Sequence, residues 1–98
     1  MGLLVEYSIQ EGKADAQTEA LLKFVEGLTQ IGDDSYSYTC FATDDPKRFI
    51  GLLEFDDDDA KQRFLASAPF QDYRDSAPER FSAPPQATPI RRIASTRG

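Results

Sequence analysis

The chain has 98 residues, 40% of them hydrophobic, so we expect residues 1–98 to form a single domain with a modest core. The formal net charge of −6 disfavours binding to nucleic-acid phosphates and to anionic membrane surfaces. With no His and a single Cys, the chain alone provides no His general base, no Ser-His-Asp triad, no Cys–His zinc cluster and no intrachain disulfide. No apolar run is long enough to predict a membrane span, and we expect a cytoplasmic location.

The first predicted elements are a strand and a helix. Apolar residues alternate with mostly polar ones over Leu3–Gln10, which is typical of a strand. We expect Asp15 to cap the following helix and Gly32 to end it. The apolar stripe of this helix is predicted to comprise Leu21, Leu22, Phe24, Val25 and Leu28.

A β-hairpin is predicted over Ser35–Phe55. Tyr36, Tyr38 and Cys40 share one side of its first strand, and Phe49–Phe55 is almost continuously apolar, as in a strand covered on both faces. The turn between the two strands contains Asp and Pro residues, which favour turn geometry.

Four aspartates, Asp56–Asp59, follow the hairpin. Four carboxylates could suggest a metal site, but the run lacks the ligand spacing of a calcium loop, so we predict no metal and expect one aspartate to cap the next helix. That helix is predicted to begin near Ala60 and to end at Pro69. Short helical turns, an extended connector, a last strand over Ile90–Ser95 and a frayed end complete the chain.

The predicted order is therefore β-α-β-β-α-β. Two right-handed crossovers and one hairpin give a ferredoxin-like α+β fold, with a four-stranded antiparallel sheet and both helices on one face. The other face still carries apolar residues and needs a cover, so we expect a homodimer in which two sheets pack together.

Three segments, Arg48–Phe55, Ala60–Leu65 and Ser67–Phe70, resemble the antibiotic biosynthesis monooxygenase-like family of dimeric α/β barrels. The resemblance covers roughly residues 3–73. The chain departs from the family pattern at four places, where the family's Trp, Asn and two His residues are replaced by Asp56, Leu52, Phe64 and Pro69.

The resemblance implies a function. Oxygenases of this family work without metal or flavin, because the electron-rich substrate itself passes electrons to oxygen. It therefore implies a monooxygenase without cofactors that acts on an aromatic, quinol or polyketide-like molecule in an apolar pocket. One alternative is a non-catalytic member of the same fold that binds a small molecule or has a structural or partner-binding role. An isomerase or decarboxylase on the same scaffold is a third possibility.

Glu54 and Tyr38 are the catalytic candidates. If Glu54 were buried in its apolar strand, desolvation would raise its pKa and make it a usable base; otherwise it forms a structural ion pair. A phenol in a pocket can bind a substrate oxygen, whereas packing with the hydroxyl towards water is the simpler interpretation. The substrate-binding candidates, which the same packing interpretation also covers, are Tyr36, Tyr7, Phe70 and Tyr73.

Overall fold

The structure is a computed structural model that describes residues 1–97. Gly98, predicted to be frayed, lies outside the described residues. The helices and strands are β1 (Gly2–Ser8), α1 (Ala14–Ile31), β2 (Tyr36–Ala42), β3 (Arg48–Phe55), α2 (Asp58–Ala66), α3 (Ala68–Ser76), a 3-10 turn (Ala77–Glu79) and β4 (Gln86–Ile90).

The predicted ferredoxin-like α+β fold is confirmed. The four strands form one antiparallel sheet in the order β2-β3-β1-β4, with the helices on one face. Alternate strand residues build the core with this helical layer, and the register places Tyr7 opposite Phe49 and Leu3 opposite Leu53. None of the helices formed by residues 1–97 is long and apolar enough to cross a bilayer.

The helix ends follow local chemistry, with one difference from the prediction. Helix α1 begins after Lys13, and no side chain caps its start with a hydrogen bond. Asp15 therefore lies in the first turn and is not the cap. Gly32 ends α1 in the left-handed conformation, with φ of 72°, as a glycine readily does. The Asp57 side chain caps α2 by accepting a hydrogen bond from the Ala60 N–H at 2.8 Å, as expected for one of the four aspartates.

Three other predictions of local structure were wrong. The second helix does not end at Pro69: extended backbone at Ser67 separates α2 from α3, and Pro69 lies in the first turn of α3, where its missing N–H is tolerated. Leu22 is exposed and lies outside the apolar stripe of α1. The last strand is Gln86–Ile90 rather than Ile90–Ser95. Because β4 lies at the edge of the sheet and has a neighbour on only one side, it tolerates a proline within the strand.

The face of the sheet away from the helices carries a patch of apolar side chains. The alternation along the strands and the pairing register place these residues on one surface, which we call the open face. Its apolar members are Leu4, Phe41, Ile50, Leu52 and Ile90.

Candidate functional site

A cavity of about 660 Å³ lies between the sheet and the helices. All four strands contribute to its floor, helices α1, α2 and α3 form its walls, and the connector from Ser82 to Pro85 borders it. Four of the candidate residues line it together: Tyr7, Tyr38, Phe70 and Tyr73. The rest of the lining is mostly apolar, which suits a small hydrophobic ligand.

Two tyrosine hydroxyls meet at this cavity. The oxygens of Tyr7 and Tyr38, on β1 and β2, are 2.9 Å apart and share a hydrogen bond. They can reach each other because Gly51, on the strand between them, has no side chain to fill the space. The ring of Phe24 lies 4.9 Å from that of Tyr38 and stacks on that of Tyr73 at 4.8 Å, which fixes the aromatic wall.

The hydroxyl of Tyr73 is held from the helical layer. Gln17 Nε2 donates a hydrogen bond to it at 2.7 Å, and Gln17 itself is fully buried. The sequence reasoning missed Gln17. A signal was available, since Gln17 lies four residues before Leu21 and is therefore a polar residue at a position of the apolar stripe.

Burial changes the acid–base behaviour of these phenols. Desolvation, which disfavours the phenolate, raises the pKa of both Tyr7 and Tyr38 well above its usual range. Desolvation also raises the pKa of Tyr73, although hydrogen bonding by Gln17 and the charge of Arg80 oppose that rise. At neutral pH the three hydroxyls are therefore protonated hydrogen-bond donors and not bases.

A second buried polar residue that the sequence reasoning missed is Arg80, of which only 6% is exposed. It donates from Nε to Gln17 Oε1 at 2.8 Å and from Nη1 to Ser76 Oγ at 2.8 Å. Its guanidinium carbon lies 5.2 Å from the ring centre of Tyr73. Because Gln17 and Arg80 are 63 positions apart, no local pattern predicts this pairing.

Glu54 does not share the cavity. It lies on the open face and forms an ion pair with Arg92, with Arg92 Nη2 at 2.8 Å from Glu54 Oε1. The expectation of a base buried beside the tyrosines is thus not met, and the ion-pair alternative describes the contact. Tyr36 is buried elsewhere in the core, with its ring edge-on to Phe64 at 5.5 Å, and does not line the cavity.

The groups at the cavity define what it can do chemically. Among the described residues, no carboxylate lines it; its charged group is Arg74, an exposed side chain paired with Asp75 at 3.4 Å. Within residues 1–97, no three His, Cys, Asp or Glu side chains lie close enough together to hold a metal ion. The arrangement can enclose an apolar ring system and donate hydrogen bonds to an oxygen on it.

The fold is shared with several solved structures. A candidate antibiotic biosynthesis monooxygenase from Nitrosomonas europaea superposes with a TM-score of 0.84 at 18% identity, covering 95% of this chain and 98% of its own. A candidate antibiotic biosynthesis monooxygenase from Bacteroides thetaiotaomicron gives 0.83 at 13% identity, covering 98% and 91%. A Mycobacterium tuberculosis protein gives 0.80 at 14% identity, covering 95% and 97%. At these identities the likeness concerns the fold alone.

Sequence comparison extends the likeness from fold to family. No curated protein matches the chain significantly. The family model described as antibiotic biosynthesis monooxygenase matches residues 1–76, which include β1 to β3, α1, α2 and α3. The chain therefore belongs to the antibiotic biosynthesis monooxygenase family.

Proposed function

We propose that this protein is a monooxygenase without cofactors that oxidises an aromatic, quinol or polyketide-like molecule in the cavity between sheet and helices. The observation that carries the proposal is that the hydroxyl pair of Tyr7 and Tyr38 lies at an apolar cavity of about 660 Å³. That volume accommodates a molecule of several fused rings. Family membership supports the type of reaction.

In the proposed mechanism the substrate itself supplies the electrons that reduce O₂. In the proposed reaction a CH₂ group activated by neighbouring phenol and carbonyl groups loses a proton and passes electrons to O₂. One oxygen atom becomes the product carbonyl, and the other leaves as water with the two hydrogens of the CH₂ group. One hydrogen atom of the Tyr7–Tyr38 pair lies between the two oxygens, so the hydroxyl that carries the other hydrogen donates to the substrate oxygen on which negative charge develops. Water at the cavity mouth takes the proton, since no carboxylate lines the cavity among the described residues.

A second candidate function is binding without catalysis. The observation that favours it is that Glu54, the carboxylate expected to act as base, lies on the other face of the sheet. A cavity with hydrogen-bond donors and no base can hold a phenolic ligand without turning it over. The two functions share the site and differ only in whether bound ligand consumes oxygen.

Oxygen uptake with 1,8-dihydroxyanthrone as the probe tests the proposal. We expect one O₂ consumed for each anthraquinone formed, and a large loss of rate in Tyr38→Phe. Glu54→Gln should keep the rate, because its side chain is outside the cavity. Binding of the anthrone without oxygen uptake above the uncatalysed rate would establish the binding function instead. Loss of rate in Glu54→Gln with unchanged assembly would contradict the cavity assignment.

The proposed assembly is a homodimer formed through the open face. An apolar patch flanked by the Glu6–Arg48 and Glu54–Arg92 ion pairs suits a partner with the same surface. Sedimentation of the wild type should give a dimer, and Leu52→Lys should give a monomer because it buries an unpaired charge in the interface. A monomeric wild type would overturn this part of the proposal. We retain the cytoplasm as the proposed location.

A further inference from the structure

Arg80 is a buried cation without a buried anion to balance it. The side chain is 6% exposed, and none of the ion pairs formed by residues 1–97 involves it. Its hydrogen bonds go to neutral acceptors, the amide oxygen of Gln17 and the hydroxyl and carbonyl oxygens of Ser76. The remaining nitrogen, Nη2, is buried and has no hydrogen-bond partner within the described residues.

Such a residue is costly to the fold. A charge removed from water loses its solvation, and proteins normally recover the loss with an opposite charge. Neutral acceptors recover only part of it. The retention of a full positive charge at this position therefore suggests that the missing anion comes from outside the chain.

The cavity lies directly beside this charge. The guanidinium carbon is 5.2 Å from the ring centre of Tyr73 and 5.8 Å from that of Phe81, and both rings line the cavity. An outer groove, which Arg80 itself lines, contains two further cations and two anions, all exposed to water: Lys13, Lys23, Glu19 and Glu79. Water screens those four charges, whereas the field of Arg80 acts through the aromatic wall where screening is weak.

We propose that Arg80 is a specificity-determining residue whose charge favours the anion of an acidic phenol or enol in the cavity, against the desolvation that disfavours that anion. The inference rests on the proposed function, because it concerns the ligand of the same cavity. Arg80 does not touch that ligand. It acts through space, and through Gln17 it holds the hydroxyl of Tyr73 in place.

The amide of Gln17 supports this assignment. Arginine can only donate, so the amide oxygen of Gln17 faces Arg80 and its NH₂ group faces the Tyr73 hydroxyl. The Tyr73 oxygen therefore accepts from Gln17. In the same cluster, the neutral phenols of Tyr7 and Tyr38 use one hydrogen atom between them and have the other available for an anionic oxygen. The cavity thus combines donors with a positive field and contains no negative group among its described residues.

The size of the effect follows from Coulomb's law. A unit charge about 10 Å away, at an effective dielectric constant near 20, changes an ionisation equilibrium by roughly tenfold. We expect 4-nitrophenol bound to the wild type to ionise at a lower pH than 4-nitrophenol bound to a variant without the charge. Removing the charge should reduce the ratio of bound anion to bound neutral form by about tenfold.

The experiment follows the absorbance of bound 4-nitrophenolate across pH. Arg80→Met removes the charge, and Gln17→Glu cancels it with an isosteric carboxylate while keeping the Arg80 side chain in place; the Tyr73 hydroxyl then donates to this carboxylate instead of accepting from Gln17. In both variants the bound nitrophenol should ionise at a higher pH than in the wild type, whereas in Arg80→Lys it should ionise as in the wild type. Lys47→Met, which removes an exposed charge from the hairpin loop, is the matched control and should bind as the wild type does.

A neutral analogue separates charge from packing. 4-Nitroanisole cannot ionise, so its affinity should be the same in the wild type and in Gln17→Glu; if Arg80→Met does not fold, Gln17→Glu provides the test. An unchanged ionisation of bound nitrophenol in Gln17→Glu would overturn the inference and leave the proposed function standing. Failure of the wild type to bind 4-nitrophenol and 4-nitroanisole would overturn the inference, while oxygen uptake with the anthrone decides the proposed function separately.

Discussion

The ring of Tyr38 lies directly over Gly51 of the neighbouring strand. A Cβ atom placed on Gly51 would be 2.9 Å from Tyr38 Cζ and closer still to the hydroxyl oxygen. The absence of a side chain at this one position allows the Tyr38 hydroxyl to reach the hydroxyl of Tyr7. A glycine in the interior of a strand is therefore explained here by the close approach of a functional group.

Gly51→Ala should disturb the site and the fold together. The added methyl group must displace the Tyr38 ring, so we expect a loss of about 1–3 kcal/mol in the free energy of unfolding, as for other overpacked cores. The displaced hydroxyl can no longer pair with Tyr7, so ligand affinity should fall as well. Urea denaturation and a binding titration with 4-nitroanisole measure the two effects.

A double variant identifies the cause. Tyr38→Phe removes the oxygen atom nearest to the added methyl group, so Gly51→Ala should cost less stability in that background than in the wild type. The ring carbons stay close, which limits the recovery. Equal costs in both backgrounds would mean that the methyl group meets something other than Tyr38.

The sequence predicted the order of elements because each element has a local pattern. Alternation of apolar and polar residues predicted β1 and β2, and the helical spacing of apolar residues predicted α1. The turn residues of the hairpin predicted the break between β2 and β3. The last strand was misplaced because Pro89 was taken as its beginning, although an edge strand tolerates proline within it.

The site was predicted only in part, for a reason particular to β3. That strand is apolar on both faces, so its pattern does not reveal which alternate residues face the helices. In the structure Gly51 and Leu53 face them and Glu54 does not, which separates Glu54 from the tyrosines. Contacts between distant positions, such as Gln17 with Arg80, have no signature in a single sequence.

The buried tyrosines should make the protein sensitive to alkali. Burial raises the pKa of Tyr7, Tyr38, Tyr73 and Tyr36, whereas in the unfolded chain a tyrosine ionises near pH 10. Above that pH the unfolded state loses protons that the native state keeps. The contribution of the tyrosines to stability should therefore be constant below pH about 10, and stability should fall as the pH rises further. Urea midpoints measured from pH 8 to 11 give the slope.

Removing one of these phenols should reduce that slope. Tyr38→Phe deletes one proton from the difference between the native and unfolded states, so its stability should fall less steeply above pH 10 than that of the wild type. The comparison of slopes does not depend on the stability of the variant at neutral pH. A wild-type slope of zero up to pH 11 would contradict the burial of these hydroxyls.

Of the four aspartates Asp56–Asp59, one should contribute to the stability of the fold. Asp57→Ala removes the cap of α2 and should lower the free energy of unfolding by about 1 kcal/mol. Asp56→Ala is the matched control, since Asp56 is exposed and lies before the cap, and it should change stability much less. Equal losses from both substitutions, measured by urea denaturation, would show that overall charge and not the cap is responsible.

Gly27 of α1 packs against the ring of Pro69 in α3. A Cβ on Gly27 would lie 2.7 Å from Pro69 Cγ and 2.9 Å from Pro69 Cβ. Replacing a helical glycine by alanine ordinarily gains about 1 kcal/mol. Here the rigid proline ring cannot move aside, so overpacking of about 1–3 kcal/mol should exceed that gain, and Gly27→Ala should lower the free energy of unfolding.

Combining Gly27→Ala with Pro69→Ala tests this explanation. Alanine at 69 lacks the Cγ atom of the closest contact, so the double variant should be more stable than the sum of the two single changes predicts. Gly32→Ala supplies the comparison. It strains the backbone of a left-handed residue, but no atom lies within 4 Å of the new methyl group. The effects of Gly32→Ala and Pro69→Ala on the free energy of unfolding should therefore be additive. If the effects of Gly27→Ala and Pro69→Ala were additive, the loss of stability in Gly27→Ala would instead arise within α1 alone. Coupling at Gly27 together with additivity at Gly32 would show that the glycine sets the distance at which α3, and with it Tyr73, packs against α1.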